Sequence, residues 1–170
     1  MPRLIPRGIA NVRRMELYFL RHTEAEDRSP DEARALTSKG KNDAIKLGGF
    51  LKRANISFDA AYSTDLVRAR ETAEIVLETC ACLEGSRLQL VLELRNETGI
   101  SDFLPWLHSM RRANHVLLVG HAPSVDERVA TLLQLSGPER IKFPKGGLAC
   151  IETDNSRSGR LKFFIRPKLL

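Results

Sequence analysis

Leu17-Tyr18-Phe19-Leu20-Arg21-His22-Thr23-Glu24 is the stretch on which the reading of this chain turns. An apolar run of strand length stops at an arginine and a histidine. The pattern returns about a hundred residues later as Val116-Leu117-Leu118-Val119-Gly120-His121. Near-continuous apolar runs of this kind suit strands buried on both faces. Each histidine then stands where a buried strand ends and a loop begins, and in α/β sheets such strand ends are where ligands bind. Between the two runs lies Ser63-Thr64-Asp65-Leu66-Val67-Arg68-Ala69-Arg70-Glu71-Thr72-Ala73, which brings arginine to a third such edge.

Working outward, strands and helices alternate. Strands are predicted over 16–20, 58–62, 88–92 and 115–119. A polar loop containing Pro30 fills 23–36. A helix capped by Thr37 or Ser38 runs to about Ala54, with Ala44, Leu47, Gly48 and Leu51 on one face. Further helices are predicted over 65–78, 101–112 and 122–135, the last opening with Pro123. Strands over 148–152 and 161–165 close the chain as a pair. Alternation of this kind implies an α/β fold, a single three-layer domain with a mostly parallel sheet and helices on both faces.

With 170 residues, 42% hydrophobic and 28% charged, one domain with a full core is the default. No apolar run approaches the roughly 20 residues that span a bilayer. No secretory signal is expected, since the basic N-terminus lacks a following apolar stretch. The net charge is +6, but Arg3, Arg7, Arg13 and Arg14 account for most of it. Residues 1–14 read as a basic arm, either disordered or upstream of a start at Met15, and residues 15–170 as the domain. The body is close to neutral, so nothing marks a nucleic-acid binder. Cys80, Cys82 and Cys150 form neither a disulfide framework nor a zinc knuckle, and are expected as reduced thiols in a cytoplasmic protein.

Two histidines and two arginines converging on one sheet edge suit a phosphoryl group. Transfer of that group spreads charge over three oxygens and demands fixed cations and in-line geometry. Arginine binds two phosphate oxygens at once and stays charged. Neutral imidazole is a competent nucleophile near pH 7. Arg68 and His121 both lie beside helix N-termini, which favour anions. Arg70, two residues past Arg68, belongs on another part of its helix. His108, His115 and Trp106 sit in no motif and read as boundary or packing residues. Neither His22 nor His121 has acidic or cysteine partners at metal-ligand spacing, so neither a metal nor a cofactor is expected.

At these residues the chain resembles the histidine phosphatase superfamily, in the phosphoglycerate mutase-like branch, and within it the SixA-type phosphohistidine phosphatases. The resemblance covers about residues 15–152. It rests on Arg21-His22-Thr23, on Leu66-Val67-Arg68-Ala69 with Thr72-Ala73, and on Val119-Gly120-His121. Leu36-Thr37-Ser38-Lys39-Gly40 matches the family's entry into its first helix. Pro123 and the absence of an inserted lid point to the SixA type. The resemblance implies a metal-independent phosphatase in which His22 is the nucleophile and forms a phosphohistidine intermediate. Arg21, Arg68 and His121 would bind the phosphoryl oxygens. Glu93 and Glu97 both fall where relatives carry a general acid, and the choice between them is open. Thr23 stands where many relatives have glycine, and a positive φ there would strain a β-branched residue. The implied substrate is a phosphohistidine on a signalling or phosphotransfer protein. The alternatives are a small phosphorylated metabolite, processed by a phosphomonoesterase or mutase-like enzyme, and a non-catalytic phospho-group binding module.

Overall fold

The computed structural model describes residues 14–170 except 84, 86, 111, 155 and 156. Of the basic arm only Arg14 falls among the described residues, where its guanidinium lies 3.4 Å from Glu152. The strands are β1 (Met15–Arg21), β2 (Ala60–Ser63), β3 (Gln89–Leu90), β4 (His115–Gly120), β5 (Leu148–Thr153) and β6 (Gly159–Ile165). The helices are α1 (Ser38–Arg53), α2 (Val67–Cys80), α3 (Ile100–Ser109) and α4 (Ser124–Leu132). They form one sheet in the order β3-β2-β4-β1-β5-β6, with β1 to β4 parallel and β5 antiparallel to both β1 and β6. This is the predicted α/β architecture. None of the helices is long and apolar enough to cross a membrane among the described residues.

Alternation along β1 divides the core in two. Tyr18 and Leu20 pack with Ala44, Leu47 and Leu51 of α1 and Ala69, Ala73 and Val76 of α2. Met15, Leu17 and Phe19 pack on the other face with Phe103 and Leu107 of α3 and Val125, Val129 and Leu132 of α4. The sheet is therefore the middle of three layers. The buried series Gly40, Ala44, Leu47, Gly48 and Leu51 follows the helical period.

Several boundaries depart from expectation for local reasons. Thr37 caps α1, its hydroxyl accepting from the Gly40 amide at 3.0 Å. The predicted strand over 88–92 shrinks to two residues because Leu92–Leu94 tightens into a 3-10 turn. Leu66 is extended, with φ −64° and ψ 128°, so α2 starts at Val67 rather than Asp65. After α2, Ala81 takes a left-handed conformation with φ 50°, which brings the Cα atoms of Cys80 and Cys82 to 5.0 Å. The two are joined as a disulfide, correcting the expectation of reduced thiols there. Sequence spacing gave no sign of the left-handed residue between them. Cys150 is free and buried.

Gly40 shows why the Leu36–Gly40 motif ends in glycine. A Cβ there would fall inside the van der Waals radius of the Glu24 carbonyl oxygen. Gly40→Ala should therefore destabilise the protein by about 1–3 kcal/mol, although alanine is worth ~1 kcal/mol over glycine in an open helix. Urea denaturation checks this; an unchanged or higher midpoint would show that the Glu24 loop moves aside freely.

Candidate active site

Strand register builds the site. β1 and β4 run parallel with Arg21 opposite Gly120, and Ser63 of β2 lies opposite Val119. His22, His121 and Thr64 each follow directly, so all three emerge at the same sheet edge. Leu148 of β5 pairs with Leu20, which delivers the strap 143–147 to that edge as well.

The rings of His22 and His121 lie 5.1 Å apart, with 7% and 2% of the residue surface exposed. His22 Nδ1 is 2.7 Å from the Thr23 carbonyl oxygen, which can only accept. Nδ1 therefore carries the proton and Nε2 keeps a lone pair. Burial, against which the Thr23 bond works, together with the charges of Arg68, Arg21 and Lys145, pushes the His22 pKa down to about 4. His121 Nε2 lies 2.7 Å from Thr64 Oγ1, and its Nδ1 is buried with no partner. Burial, then neighbouring His22 and Arg68, bring its pKa down to about 3. Both rings are neutral at pH 7.

The arginines are anchored by part of their donor sets. Arg21 donates from Nη1 to the Phe143 carbonyl at 2.6 Å, while its buried Nε has no partner. Phe143 is itself fixed, its amide donating to buried Asp126 of α4 at 3.0 Å. Arg68 donates to Asp31, Nη1 to the carbonyl at 2.8 Å and Nη2 to the carboxylate at 2.9 Å. Arg34 holds the same carboxylate at 2.9 Å, and these bonds keep the Asp31 pKa low. Thr72 on α2 donates to the Arg68 carbonyl and accepts from the Thr23 amide at 3.2 Å. Thr23 has no positive φ, so the strain expected for a β-branched residue does not arise.

The segment bearing Glu93 and Glu97 is held from below. Arg128 of α4, 2% exposed, donates to the carbonyls of Leu94, Glu93, Arg95 and Thr98 at 2.8–3.3 Å. Arg95 forms a two-pronged pair with Asp65 at 2.8 and 2.5 Å. Glu97 is exposed and Glu93 half-buried. Among the described residues, no hydrogen bond orients either carboxyl. Arg70 pairs with Glu74 on the surface of α2, and Trp106 packs against Tyr62 and Phe103. No group of three or more His, Cys, Asp or Glu side chains suited to a metal occurs among the described residues.

Residues 17–95 match the model of the histidine phosphatase superfamily (branch 1). An uncharacterized protein of Picosynechococcus is 30% identical over 148 residues, covering 84% of this chain and 88% of that one. The chain belongs to the histidine phosphatase superfamily. It is by class a phosphatase. Its fold is shared with the protein histidine phosphatase SixA complexed with tungstate (TM-score 0.82, 24% identity, 91% of this chain and 99% of that one). The alpha-ribazole phosphatase from Shigella flexneri has a similar fold (TM-score 0.72, 18% identity, 90% and 97% covered).

As a histidine phosphatase the chain places all four residues of its motifs, His22, Arg21, Arg68 and His121, at one sheet edge. Thr64, Asp31, Asp126, Arg128 and the Phe143 carbonyl are the supports that sequence reading missed. Only Thr64, beside Ser63 in a quoted motif, gave any signal.

Burial of two neutral rings has a consequence for stability. In the folded chain they resist protonation, whereas unfolded histidine binds a proton near pH 6.5. Between about pH 6.5 and the folded values of about 4 and 3, the unfolded chain binds more protons. Stability should thus fall as pH drops through that window. Denaturation at several pH values should show a shallower acid-side slope for His22→Ala than for the parent; equal slopes would refute the linkage.

Proposed function

We propose that the protein is a metal-independent phosphatase that works through phospho-His22 and removes phosphoryl groups from phosphohistidine on a signalling or phosphotransfer protein. The observation that carries this reading is a buried neutral His22, with its lone pair on Nε2, in a site where Arg21 Nε and His121 Nδ1 are buried without partners. Buried donors without partners are costly, and phosphoryl oxygens suit them.

In this mechanism His22 Nε2 attacks phosphorus in line with the leaving group. The P–N bond to the substrate imidazole breaks as the P–Nε2 bond forms, its electron pair staying on the departing ring, which leaves as neutral imidazole because its other nitrogen has taken a proton from water. Arg21 Nε and the free N–H groups of Arg68 meet the equatorial oxygens. A Thr64 hydroxyl that donates to His121 Nε2 leaves the proton on Nδ1, and Nδ1 then donates to a third oxygen. Water next attacks phospho-His22, releasing inorganic phosphate and restoring the imidazole. The charge on the phosphoryl group is met by guanidinium and imidazole, so the scheme calls on no metal ion.

Among the described residues no hydrogen bond holds Glu93 or Glu97 in place as an acid, and a substrate that needs little acid help fits such a site. Asp31, the carboxyl fixed on Arg68, is held ionised by two arginines. An alkoxide leaving group normally needs a placed acid, worth about 10²–10⁴-fold. Imidazole departs with less help.

His22→Ala should abolish turnover and leave the fold intact. Wild-type enzyme quenched during turnover should carry acid-labile, base-stable phosphate, and activity should survive EDTA. Near-parental activity in His22→Ala, or a strict divalent-ion requirement, would overturn the mechanism.

Substrate class has its own test. kcat/KM should be higher on a phosphohistidine protein than on alkyl phosphates. The double variant Glu93→Gln/Glu97→Gln should lose less activity on phosphohistidine than on any alkyl phosphate. Efficient alkyl phosphate hydrolysis that collapses when either glutamate is changed would instead assign the enzyme to small phosphorylated metabolites.

A further inference from the structure

Beside the strap 143–147 lies a groove of about 460 Å³ that the catalytic reading does not use. Its floor is apolar: Phe143, Pro144, Phe164, Ile165 and Leu169. Phe143 and Phe164 stack with ring centres 4.6 Å apart. Leu169 is 71% exposed, the most exposed large apolar side chain among the described residues. It extends the apolar floor to the rim of the groove.

The groove and the site share a wall. Phe143 lines the groove, and its carbonyl seats Arg21. Gly146, at the other end of the strap, donates to the carbonyls of Arg21 and His22 at 3.1 Å. Gly146 has φ +74°, and a Cβ there would come within 2.7 Å of Pro167, the start of the C-terminal 3-10 turn Pro167–Leu169. A molecule filling the groove therefore touches the strap whose far side packs on the histidine.

The rim is cationic. Lys142 and Arg166 line the groove, with Lys145 on the strap and Lys168 beside Leu169, all four exposed. Among the described residues no Asp or Glu side chain lines it. Asp126, behind Lys142, is buried and accepts from both Lys142 and the Phe143 amide. Among the described residues, no ion pair engages Lys145, Arg166 or Lys168. The other cations of β6 are spent elsewhere, Arg160 on Glu152 and Lys162 on Glu16. Lys145 also acts on His22 itself, lowering its pKa through space. The positive field thus runs from groove to nucleophile.

We infer that this groove is the docking surface for the substrate protein, and that its partner is an acidic surface carrying an apolar side chain next to the phosphohistidine. The inference rests on the phosphohistidine reading above. Charge selects this occupant. A second copy docked through the same face would set Lys142, Lys145, Arg166 and Lys168 against their own counterparts, and residues 1–13 carry arginine and no acid. A small phosphorylated molecule held at His22 would have no need of the groove across the strap. A protein surface covers both. Its carboxylates meet Arg166 and Lys168 while its apolar side chain enters beside Leu169.

Three probes test this: free phosphohistidine, a histidine-phosphorylated peptide rich in Glu with one Leu, and the same peptide with Lys for Glu. Wild-type enzyme should show KM for the acidic peptide about tenfold or more below that for the basic one, in the range that cationic surfaces give to anionic partners. The advantage should shrink with added salt. Arg166→Glu/Lys168→Glu should erase it by raising KM with kcat unchanged, and Leu169→Ser should raise KM for both Leu-bearing peptides. Both variants should keep the parental Tm and parental kcat/KM on free phosphohistidine. Equal KM for the two peptides, or losses shared by free phosphohistidine, would overturn the docking surface alone. Turnover of an aryl phosphate with none of the phosphohistidine probes would overturn the substrate reading, and the docking surface with it.

Discussion

The parallel pairing of β1 with β4, Arg21 opposite Gly120, is the constraint on which the site depends. It fixes where two chain segments leave the sheet and forces two imidazoles into contact in a buried place. A histidine there cannot hold a proton cheaply, because charging it would cost desolvation and bring repulsion from nearby guanidinium groups. The fold thereby keeps the imidazole of His22, the nucleophile of the proposed mechanism, neutral at ordinary pH. The same burial would strengthen each donor that the proposed mechanism directs at the phosphoryl group, since low polarity raises the worth of a charge-assisted hydrogen bond.

Around this pair the helices act as braces. α2 ties the His22 loop through Thr72 and also supplies Arg68. α4 supplies Asp126, which fixes the strap that holds Arg21, and Arg128, which gathers four carbonyls of the loop after β3. Arg128 also stacks its guanidinium 4.6 Å above Phe103. Burial lowers its pKa to about 10, still far above neutrality. A buried cation with its donors satisfied is sustainable; the same cation without them would be strongly destabilising. The loop and Arg128 are therefore mutually dependent.

In the proposed mechanism Arg68 combines binding and support in one side chain. Two of its donors rest on Asp31, which comes from the polar stretch between β1 and α1. That stretch carries no strand or long helix, yet it is anchored at Gly40 below and at Arg68 above. A carboxylate so placed orients the guanidinium fork before substrate arrives, and preorganisation of this kind lowers the cost of binding.

The sequence by itself determined the layer architecture and the four residues at its centre. The apolar runs, their abrupt ends and the helical spacing of Ala44, Leu47 and Leu51 are local signals, and local signals survive in one dimension. Arg21, His22, Arg68 and His121 were legible because each sits in a motif tied to a strand end or a first helical turn. Only tertiary structure decided the rest. Asp31 meets Arg68 across 37 positions, and Arg128 meets Leu94 across 34. Nothing local marks such pairs, because their partners are backbone carbonyls or a carboxylate among many. The Cys80–Cys82 bond likewise depended on one left-handed residue, Ala81, that propensity would not assign to alanine. Chain order could name the groups that gather at this edge; the packing of α4, the strap and the 31–34 turn fixed how each is held.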